Sequence, residues 1–209
     1  MKLSKRQKAI ILGMILGDAY LQKTGKQNAR LRLEHSLKQK EYMDWKYAQL
    51  RNIFQSVPKV LQRMHPKTQK ANHYVRLQSH ASPVLGKMRR QFYTDDDRKQ
   101  LPQQLDKVLA SSLTIAVWYM DDGYYDKRDK SAHIYLQAFD QSDIERLLDV
   151  FRERYAIAAK AYCRPDRKAC QLNFTGKDKD SLMTLINPYL IESMRYKTPL
   201  NPVTTESEK

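Results

Sequence analysis

Two apolar segments in different parts of the chain end in the same way. The stretch "ILGMILGD" closes on Asp18, and "IAVWYMDD" closes on Asp122. Each is apolar over most of its length, which predicts a helix buried on most sides. A carboxylate at a helix C-terminus is unfavourable, because that end already carries partial negative charge. The recurrence of this feature predicts two similar halves, each placing an aspartate where a positive group must compensate it.

The segments that follow the two apolar helices repeat in a similar order. The first half predicts helices at 5–18, 39–55 and 82–93 and strands at 29–36 and 73–80. The second half predicts helices at 111–122, 141–155 and 178–193 and strands at 132–139, 158–164 and 169–175. Residues 1–95 and 111–203 therefore form two units of an α+β protein, with a connector at 96–110 and a disordered tail at 204–209.

Two glycines of the first apolar helix, Gly13 and Gly17, lie four residues apart and so share one helical face. Each costs roughly 1 kcal/mol of helix stability relative to alanine. Small residues at this spacing allow the backbone of another helix to approach closely. The first apolar helix is therefore expected to pack directly against a second one.

The chain is strongly basic, with 38 lysines and arginines against 23 acidic residues and a formal charge of +15. Basic residues occur along the whole sequence, which favours a folded basic surface and a polyanionic partner. Nothing approaches the roughly 20 apolar residues of a membrane span, and an intracellular location is expected, in cytoplasm, nucleoid or organelle matrix. Cys163 and Cys170 are expected to be free thiols, with a bridge between neighbouring strands as the alternative.

The predicted strands carry polar residues on one face and apolar residues on the other. Arginine, glutamine and asparagine can form paired hydrogen bonds with base edges in the DNA major groove. The outward positions predict a surface that contacts double-stranded DNA. Its members are Arg30, Arg32, Arg76, Gln78, His133, Tyr135, Gln171 and Asn173.

The two aspartates suggest a metal site. If the apolar helices pack side by side, Asp18 and Asp122 converge with nearby terminal carbonyls on an oxygen-rich site suited to Mg²⁺. Lys99 in "RKQLP" and Lys197 in "YKTP" each lie near the end of a repeat and close to a proline. A lysine beside a metal-bound phosphate can stabilise developing charge or help to polarise water.

The segments "ILGMILGDA" (11–19) and "IAVWYMDDG" (115–123) resemble the two signature helices of the LAGLIDADG homing endonucleases, in their single-chain form. The resemblance implies two pseudo-symmetric α-β-β-α-type repeats whose antiparallel sheets form a DNA-binding saddle. It also implies a monomeric endonuclease, encoded by a mobile intron, that cuts a long asymmetric DNA target and leaves short 3′ overhangs. Mg²⁺ is the implied cofactor, with Mn²⁺ as a substitute.

The same resemblance assigns roles to individual residues. It implies that Asp18 and Asp122 bind the metal ions, with Gly17 and Asp121 as neighbouring ligands. It matches Lys99 and Lys197 to the lysine near each repeat's end. Glu34 and Gln137 match strand residues that order catalytic water, although the family more often has glutamine at the position of Glu34.

Three other functions remain open from the sequence. One is an RNA maturase of the same fold, which would bind structured intron RNA. Another is a catalytically silent DNA-binding protein, although such a protein has no need for both aspartates and both lysines. An intein-derived nuclease is the third, and no splicing segments are recognised beside the repeats.

Overall fold

The structure, a computed structural model, describes residues 1–136, 139–164 and 169–199. The helices are α1 Lys5–Leu16, α2 Lys40–Gln49, α3 Pro83–Phe92, α4 Leu105–Val108, α5 Ser112–Asp122, α6 Gln141–Tyr155 and α7 Gly176–Ile186. Short 3₁₀ helices span Leu37–Gln39, Asn187–Tyr189 and Glu192–Lys197. The strands are β1 Tyr20–Lys23, β2 Ala29–Ser36, β3 Lys59–Met64, β4 Ala71–Gln78, β5 Gly123–Asp126, β6 Ser131–Leu136, β7 Lys160–Arg164 and β8 Ala169–Phe174.

The strands form two antiparallel sheets with the same topology. The first has the order β1-β2-β4-β3 and the second has the order β5-β6-β8-β7. This arrangement confirms the predicted α+β class and the two similar halves. The boundary at 96–110, within which α4 lies, stays a prediction. The tail at 204–209 lies outside the described residues.

The register of the first two strands aligns the halves residue by residue. Tyr20 follows Asp18 by two positions and pairs with Arg32, while Tyr124 follows Asp122 by two positions and pairs with His133. Arg32 and His133 are therefore equivalent. Two residues further along each strand, Glu34 of β2 is equivalent to Tyr135 of β6, and His35 is equivalent to Leu136.

Several predicted boundaries differ from the structure. Strand 29–36 and helix 141–155 are confirmed, whereas the helix predicted at 39–55 ends at Gln49 and the one predicted at 178–193 ends at Ile186. The second passes into a 3₁₀ turn at Asn187–Tyr189, because Pro188 has no backbone N–H with which to continue the α-helical hydrogen bonds. Strands β1, β3 and β5 were not predicted. β3 could not be recognised from the sequence because it is exposed along nearly its whole length and so shows no alternation of apolar and polar residues.

The centre of the molecule is the contact between α1 and α5. A Cβ atom built on Gly13 would lie 2.6 Å from the carbonyl oxygen of Thr114, and one on Gly17 would lie 2.5 Å from the Cβ of Asp121. The prediction that these glycines admit a second helix is therefore confirmed. Both helices are buried in the core, and in the described part of the chain no helix is long and apolar enough to cross a membrane.

The two cysteines face each other in the second sheet. Cys163 of β7 pairs with Cys170 of β8, their Cα atoms lie 4.0 Å apart, and a disulfide joins them. The expectation of free thiols is therefore wrong, and the cross-strand bridge is correct. The antiparallel register explains the difference, because it places the two side chains directly opposite each other.

Candidate active site

Two lysines cap the ends of the central helices in the same manner. Lys99 Nζ donates to the carbonyl of Gly17 at 2.7 Å and to the preceding carbonyl at 3.3 Å. Lys197 Nζ donates to the carbonyl of Asp121 and to the preceding carbonyl, both at 2.7 Å. These carbonyls occupy equivalent places in the two halves. The positive groups required at the helix C-termini are therefore these lysines, as the repeat symmetry suggested.

The lysine ammonium groups are largely enclosed by protein. Burial lowers the pKa of Lys99 and of Lys197, while the charges of Asp18, Asp121 and Asp122 act in the opposite direction. A lysine whose pKa is lowered exchanges a proton more readily near neutral pH than a solvated one. Both side chains are anchored at the helix ends, within the electrostatic reach of the three carboxylates.

The carboxylates at the helix ends repel one another. Burial raises the pKa of Asp122 to about 7, and the charges of Asp18 and Asp121 add to this rise. The pKa of Asp18 is also raised, first by burial and then by Asp121, although 39% of its side chain remains exposed. A crowded set of carboxylate and carbonyl oxygens with disfavoured negative charge fits a hard divalent cation, which would relieve the repulsion.

Asp121 differs from its neighbours because it is fully buried and already paired. Its Oδ1 accepts a hydrogen bond from Lys46 Nζ at 2.6 Å, and neither side chain is exposed. Its Oδ2 accepts a hydrogen bond from the backbone N–H of Asp18 at 3.3 Å. The ring of Tyr42 lies 4.1 Å from Lys46 Nζ, and the Tyr42 hydroxyl donates to the carbonyl of Val117.

His35 connects this buried pair to Asp18. Its Nε2 lies 2.8 Å from Lys46 Nζ, and its Nδ1 lies 3.1 Å from Gln39 Oε1 and 3.5 Å from Asp18 Oδ2. Burial, followed by the charge of Lys46, lowers the pKa of His35 to about 4, so the ring is neutral near pH 7. Asp18, His35 and Asp121 also offer potential metal-ligand atoms within 4.8 Å of one another.

The sequence reasoning missed Lys46 and His35, although both carry a signal. Lys46 lies four residues after Tyr42, on the inner face of α2. His35 continues the inward positions of Leu31 and Leu33 on β2. Both are polar residues at positions where the periodicity of the helix or strand predicts an inward-facing apolar residue, and this exception is the signal that could have identified them.

The first sheet presents a partly exposed arginine-rich face. The predicted residues Arg30, Arg32, Arg76 and Gln78 are half-buried and alternate with buried apolar residues of β2 and β4. A groove of about 270 Å³ extends from Asp18 along this face. The structure therefore brings two of the predicted base-contacting residues, Arg32 and Arg76, into one groove with the helix-end carboxylate of Asp18.

Glu34 lies between two arginines on this face. Arg63 donates to both of its carboxylate oxygens, at 2.6 and 2.8 Å, and Arg76 Nε donates to Oε2 at 2.9 Å. Burial acts to raise the pKa of Glu34, but the two arginines outweigh it and the pKa lies below its ordinary value. Arg63 was missed because β3 was not predicted. The three side chains form one cluster, which holds both guanidinium groups in place.

The second sheet presents aromatic side chains instead. Tyr124 stacks on His133 at 5.7 Å and lies 6.5 Å from the ring of Tyr135. Tyr135 is exposed, whereas His133 is buried beneath Tyr124 and contacts Ser131 Oγ and Gln171 Nε2.

The other predicted residues of this sheet complete the surface. Gln171 and Asn173 are half-buried on β8, opposite Tyr135 and His133. Among the described residues, Asn173 Oδ1 is buried without a hydrogen-bond partner. Gln137 lies outside the described residues.

Comparison with known proteins places this architecture in a family. The family model described as LAGLIDADG DNA endonuclease matches residues 8–182. The chain belongs to the LAGLIDADG DNA endonuclease family. The match includes Asp18 and Asp122 together with most of α1 and all of α5, so the resemblance inferred from the two motifs is confirmed.

Curated relatives of this LAGLIDADG protein include RecA proteins, an intron-encoded endonuclease and a cytochrome b mRNA maturase. A protein RecA of Mycolicibacterium fallax is 29% identical over 208 residues, and the match covers 93% of this chain but 46% of that protein. A probable intron-encoded endonuclease 1 of Wickerhamomyces canadensis is 25% identical over 204 residues, covering 95% of this chain and 86% of the relative. The chain therefore spans about half the length of the RecA relatives it matches.

Solved structures show the same LAGLIDADG fold. The homing endonuclease I-WcaI bound to its DNA recognition sequence superposes with a TM-score of 0.86 at 23% identity, covering 97% of this chain and 89% of the other. I-DmoI in complex with DNA and Mn gives a TM-score of 0.52 at 14% identity, covering 89% and 98% of the two chains. At these identities the likeness establishes the fold.

Proposed function

We propose that this LAGLIDADG protein is a metal-dependent endonuclease that hydrolyses both strands of DNA at a long, asymmetric target site. The observation that carries the proposal is the pair of matched helix ends. Each places an aspartate beside a lysine that caps the preceding carbonyls, once in each half. Two equivalent sets of groups in one chain suit the cutting of two strands. Family membership and the fold shared with DNA-bound I-WcaI support the same function.

Asp18 and Asp122 are the residues that would hold the divalent cations. Burial raises the pKa of both carboxyls and the neighbouring carboxylates add to the rise, so a bound cation would relieve a real electrostatic cost, which supports this assignment. Mg²⁺ is the proposed ion, with Mn²⁺ as a substitute, and the complex of I-DmoI with Mn supports that choice. When bound, the cation supplies electrostatic stabilisation of the negative charge that develops on the phosphate during hydrolysis.

Lys99 and Lys197 would act directly on the reacting groups of the DNA. Each ammonium is fixed by two carbonyls, so it is already oriented before DNA binds. A fixed positive group can stabilise charge that appears in the transition state without reorganising. Because burial lowers their pKa values, these lysines can also exchange a proton with water close to the phosphate.

The two sheets would read the two halves of the target. The first offers Arg30, Arg32, Arg76 and Gln78, whose groups match guanine and adenine edges. The second offers Tyr135, Gln171 and Asn173 beside the buried His133. Because these side chains differ, the half-sites should differ in sequence. Both sheets belong to one chain, so a monomer formed by units 1–95 and 111–203 would suffice.

Glu34 and Gln137 were assigned the same role by the sequence resemblance, but we propose a different role for Glu34. Two arginines occupy its carboxylate oxygens, and its register equivalent in the second half is Tyr135. Glu34 would therefore hold Arg63 and Arg76 in position for DNA. Ordering of catalytic water by Gln137 stays a prediction.

A selection from a randomised double-stranded DNA library tests the proposal. The protein is incubated with Mg²⁺ or with EDTA, alongside Asp18→Asn and Asp122→Asn variants. Asp44→Asn is a matched control, since Asp44 pairs with Lys40 on the exposed side of α2. We expect cutting at one long sequence with Mg²⁺ and with the control, and none with EDTA or with either site variant. Absence of cutting in the library and in the uninterrupted host gene would refute the proposal.

A further inference from the structure

The two halves match at their aspartates and lysines but differ beside them. Gly17, the residue that ends α1, occupies the place that Asp121 occupies in α5, one residue before the terminal aspartate. His35 of β2 occupies the register position of Leu136 in β6. Asp121 and His35 both contact Lys46. A connected polar group therefore lies on one side of the site, and the register gives the second half an apolar side chain at the matching place of His35.

Lys46 determines where the proton of His35 lies. Lys46 forms a buried ion pair with Asp121, and an ammonium group can donate hydrogen bonds but cannot accept them. His35 Nε2, at 2.8 Å from Lys46 Nζ, must therefore be the acceptor. A neutral imidazole that accepts at Nε2 carries its proton on Nδ1.

The Nδ1–H group of His35 faces two acceptors. Gln39 Oε1 is at 3.1 Å and Asp18 Oδ2 is at 3.5 Å. Gln39 is itself held by the hydroxyl of Tyr196, to which its Nε2 donates at 3.3 Å. The imidazole thus presents an N–H to the side of Asp18 and has no lone pair free for a metal ion.

Asp121 is bound on both of its oxygens, by Lys46 and by the N–H of Asp18. Lys46 is fully buried and is the only lysine so placed among residues 1–136, 139–164 and 169–199. A buried carboxylate and a buried ammonium require each other, because either alone would be an uncompensated charge. Asp121 is therefore explained by Lys46 without a role in binding metal.

We propose that Lys46 and His35 are positioning residues that orient the Asp18 carboxylate, and that Asp121 is the counterion of Lys46 and not a metal ligand. The proposal rests on the nuclease function argued above. Since Asp122 lacks an equivalent histidine, loss of the network should impair the two strand cleavages unequally. Partners of this kind, one step removed from a metal ligand, typically change activity by about 10- to 100-fold.

The tautomer of His35 can be measured without metal or DNA. Nitrogen NMR of the full chain, labelled at histidine, distinguishes a protonated Nδ1 from a protonated Nε2. We expect wild-type His35 to carry its proton on Nδ1. In the double variant Lys46→Met, Asp121→Asn, which removes both charges together, we expect His35 to lose its preference for the Nδ1 tautomer. A wild-type His35 protonated on Nε2 would overturn the proposal.

Strand-resolved cleavage supplies the second readout. Each strand of the target is labelled, and its single-turnover cleavage rate is measured for three variants. His35→Leu introduces the residue found at the equivalent position, Leu136, and His35→Gln keeps one hydrogen-bond acceptor and one donor. The third variant combines Lys46→Met with Asp121→Asn. Lys40→Met combined with Asp44→Asn removes an exposed lysine–aspartate pair from the same helix and is the matched control.

We expect His35→Leu and the buried double change to slow one strand roughly tenfold more than the other. His35→Gln should largely restore the wild-type ratio of the two strand-cleavage rates, and the control should leave both rates unchanged. Equal slowing of both strands in folded variants would show a merely structural role and overturn the proposal. If the wild type cuts no DNA, the nuclease function fails, and the tautomer measurement still decides whether the network exists.

Discussion

Replacing Asp122 with asparagine should stabilise the metal-free protein while removing its function. In the folded chain, burial and two neighbouring carboxylates raise the pKa of Asp122 from its ordinary 3.8 to about 7. At about 1.36 kcal/mol for each pH unit, this difference corresponds to a cost of about 4 kcal/mol for keeping the group charged. Asparagine has nearly the same shape and no charge, so Asp122→Asn removes that cost.

The effect has a defined dependence on pH. Below about pH 4 the carboxyl is protonated in both the folded and the unfolded chain, so it costs nothing. Between pH 4 and about 7 the unfolded chain has lost this proton and the folded chain retains it, so the free energy of unfolding falls as pH rises. Above pH 7 the full cost is present. Asp122→Asn should therefore match the wild type at pH 4 and exceed it at pH 8.

Urea or thermal unfolding in EDTA measures this difference. The gain at pH 8 should reach up to about 4 kcal/mol, or about 10 °C in Tm for a chain of this size. Adding Mg²⁺ should then stabilise the wild type, by about 2.7 kcal/mol at 100 times its Kd, and leave the variant nearly unchanged. A variant that is less stable at pH 8, or a difference that does not vary with pH, would refute the electrostatic reasoning.

Four further outcomes are expected. Lys99→Met and Lys197→Met should each lower the single-turnover cleavage rate by about 10²-fold or more while the target still binds, as comparison of binding and cleavage would show. Glu34→Gln should free its two arginine partners, which raises non-specific DNA affinity and steepens its log–log salt dependence by about one. Gly13→Ala should cost about 1–3 kcal/mol in thermal unfolding, because its Cβ would meet the carbonyl of Thr114 at 2.6 Å. Wild-type binding should weaken with salt at a log–log slope of about −5 if about six phosphates are neutralised; a flat salt dependence would contradict a phosphate-driven interface.

The sequence predicted the parts of the fold that carry strong periodicity. Strand 29–36 alternates strictly and α6 combines helical spacing with clear ends, so both were placed correctly. β1 and β5 are four residues long and follow directly on the motif helices, too short to show a period. The positions of Lys99 and Lys197 followed from symmetry between the halves. The contacts of Lys46 could not be predicted from this symmetry, because a buried ion pair depends on how α2 packs against α5.

The asymmetry beside the two aspartates follows from the space between the central helices. A Cβ at Gly17 would lie 2.5 Å from the Cβ of Asp121, so the crossing point has room for one carboxylate. That carboxylate is buried and needs a buried cation, which Lys46 supplies from the first half. Two first halves together would face glycine with glycine and leave two lysines unpaired, whereas two second halves would force two carboxylates into the space of one. The two repeats are therefore complementary at this contact, and neither could pair with a copy of itself there, even though their aspartates and capping lysines remain equivalent.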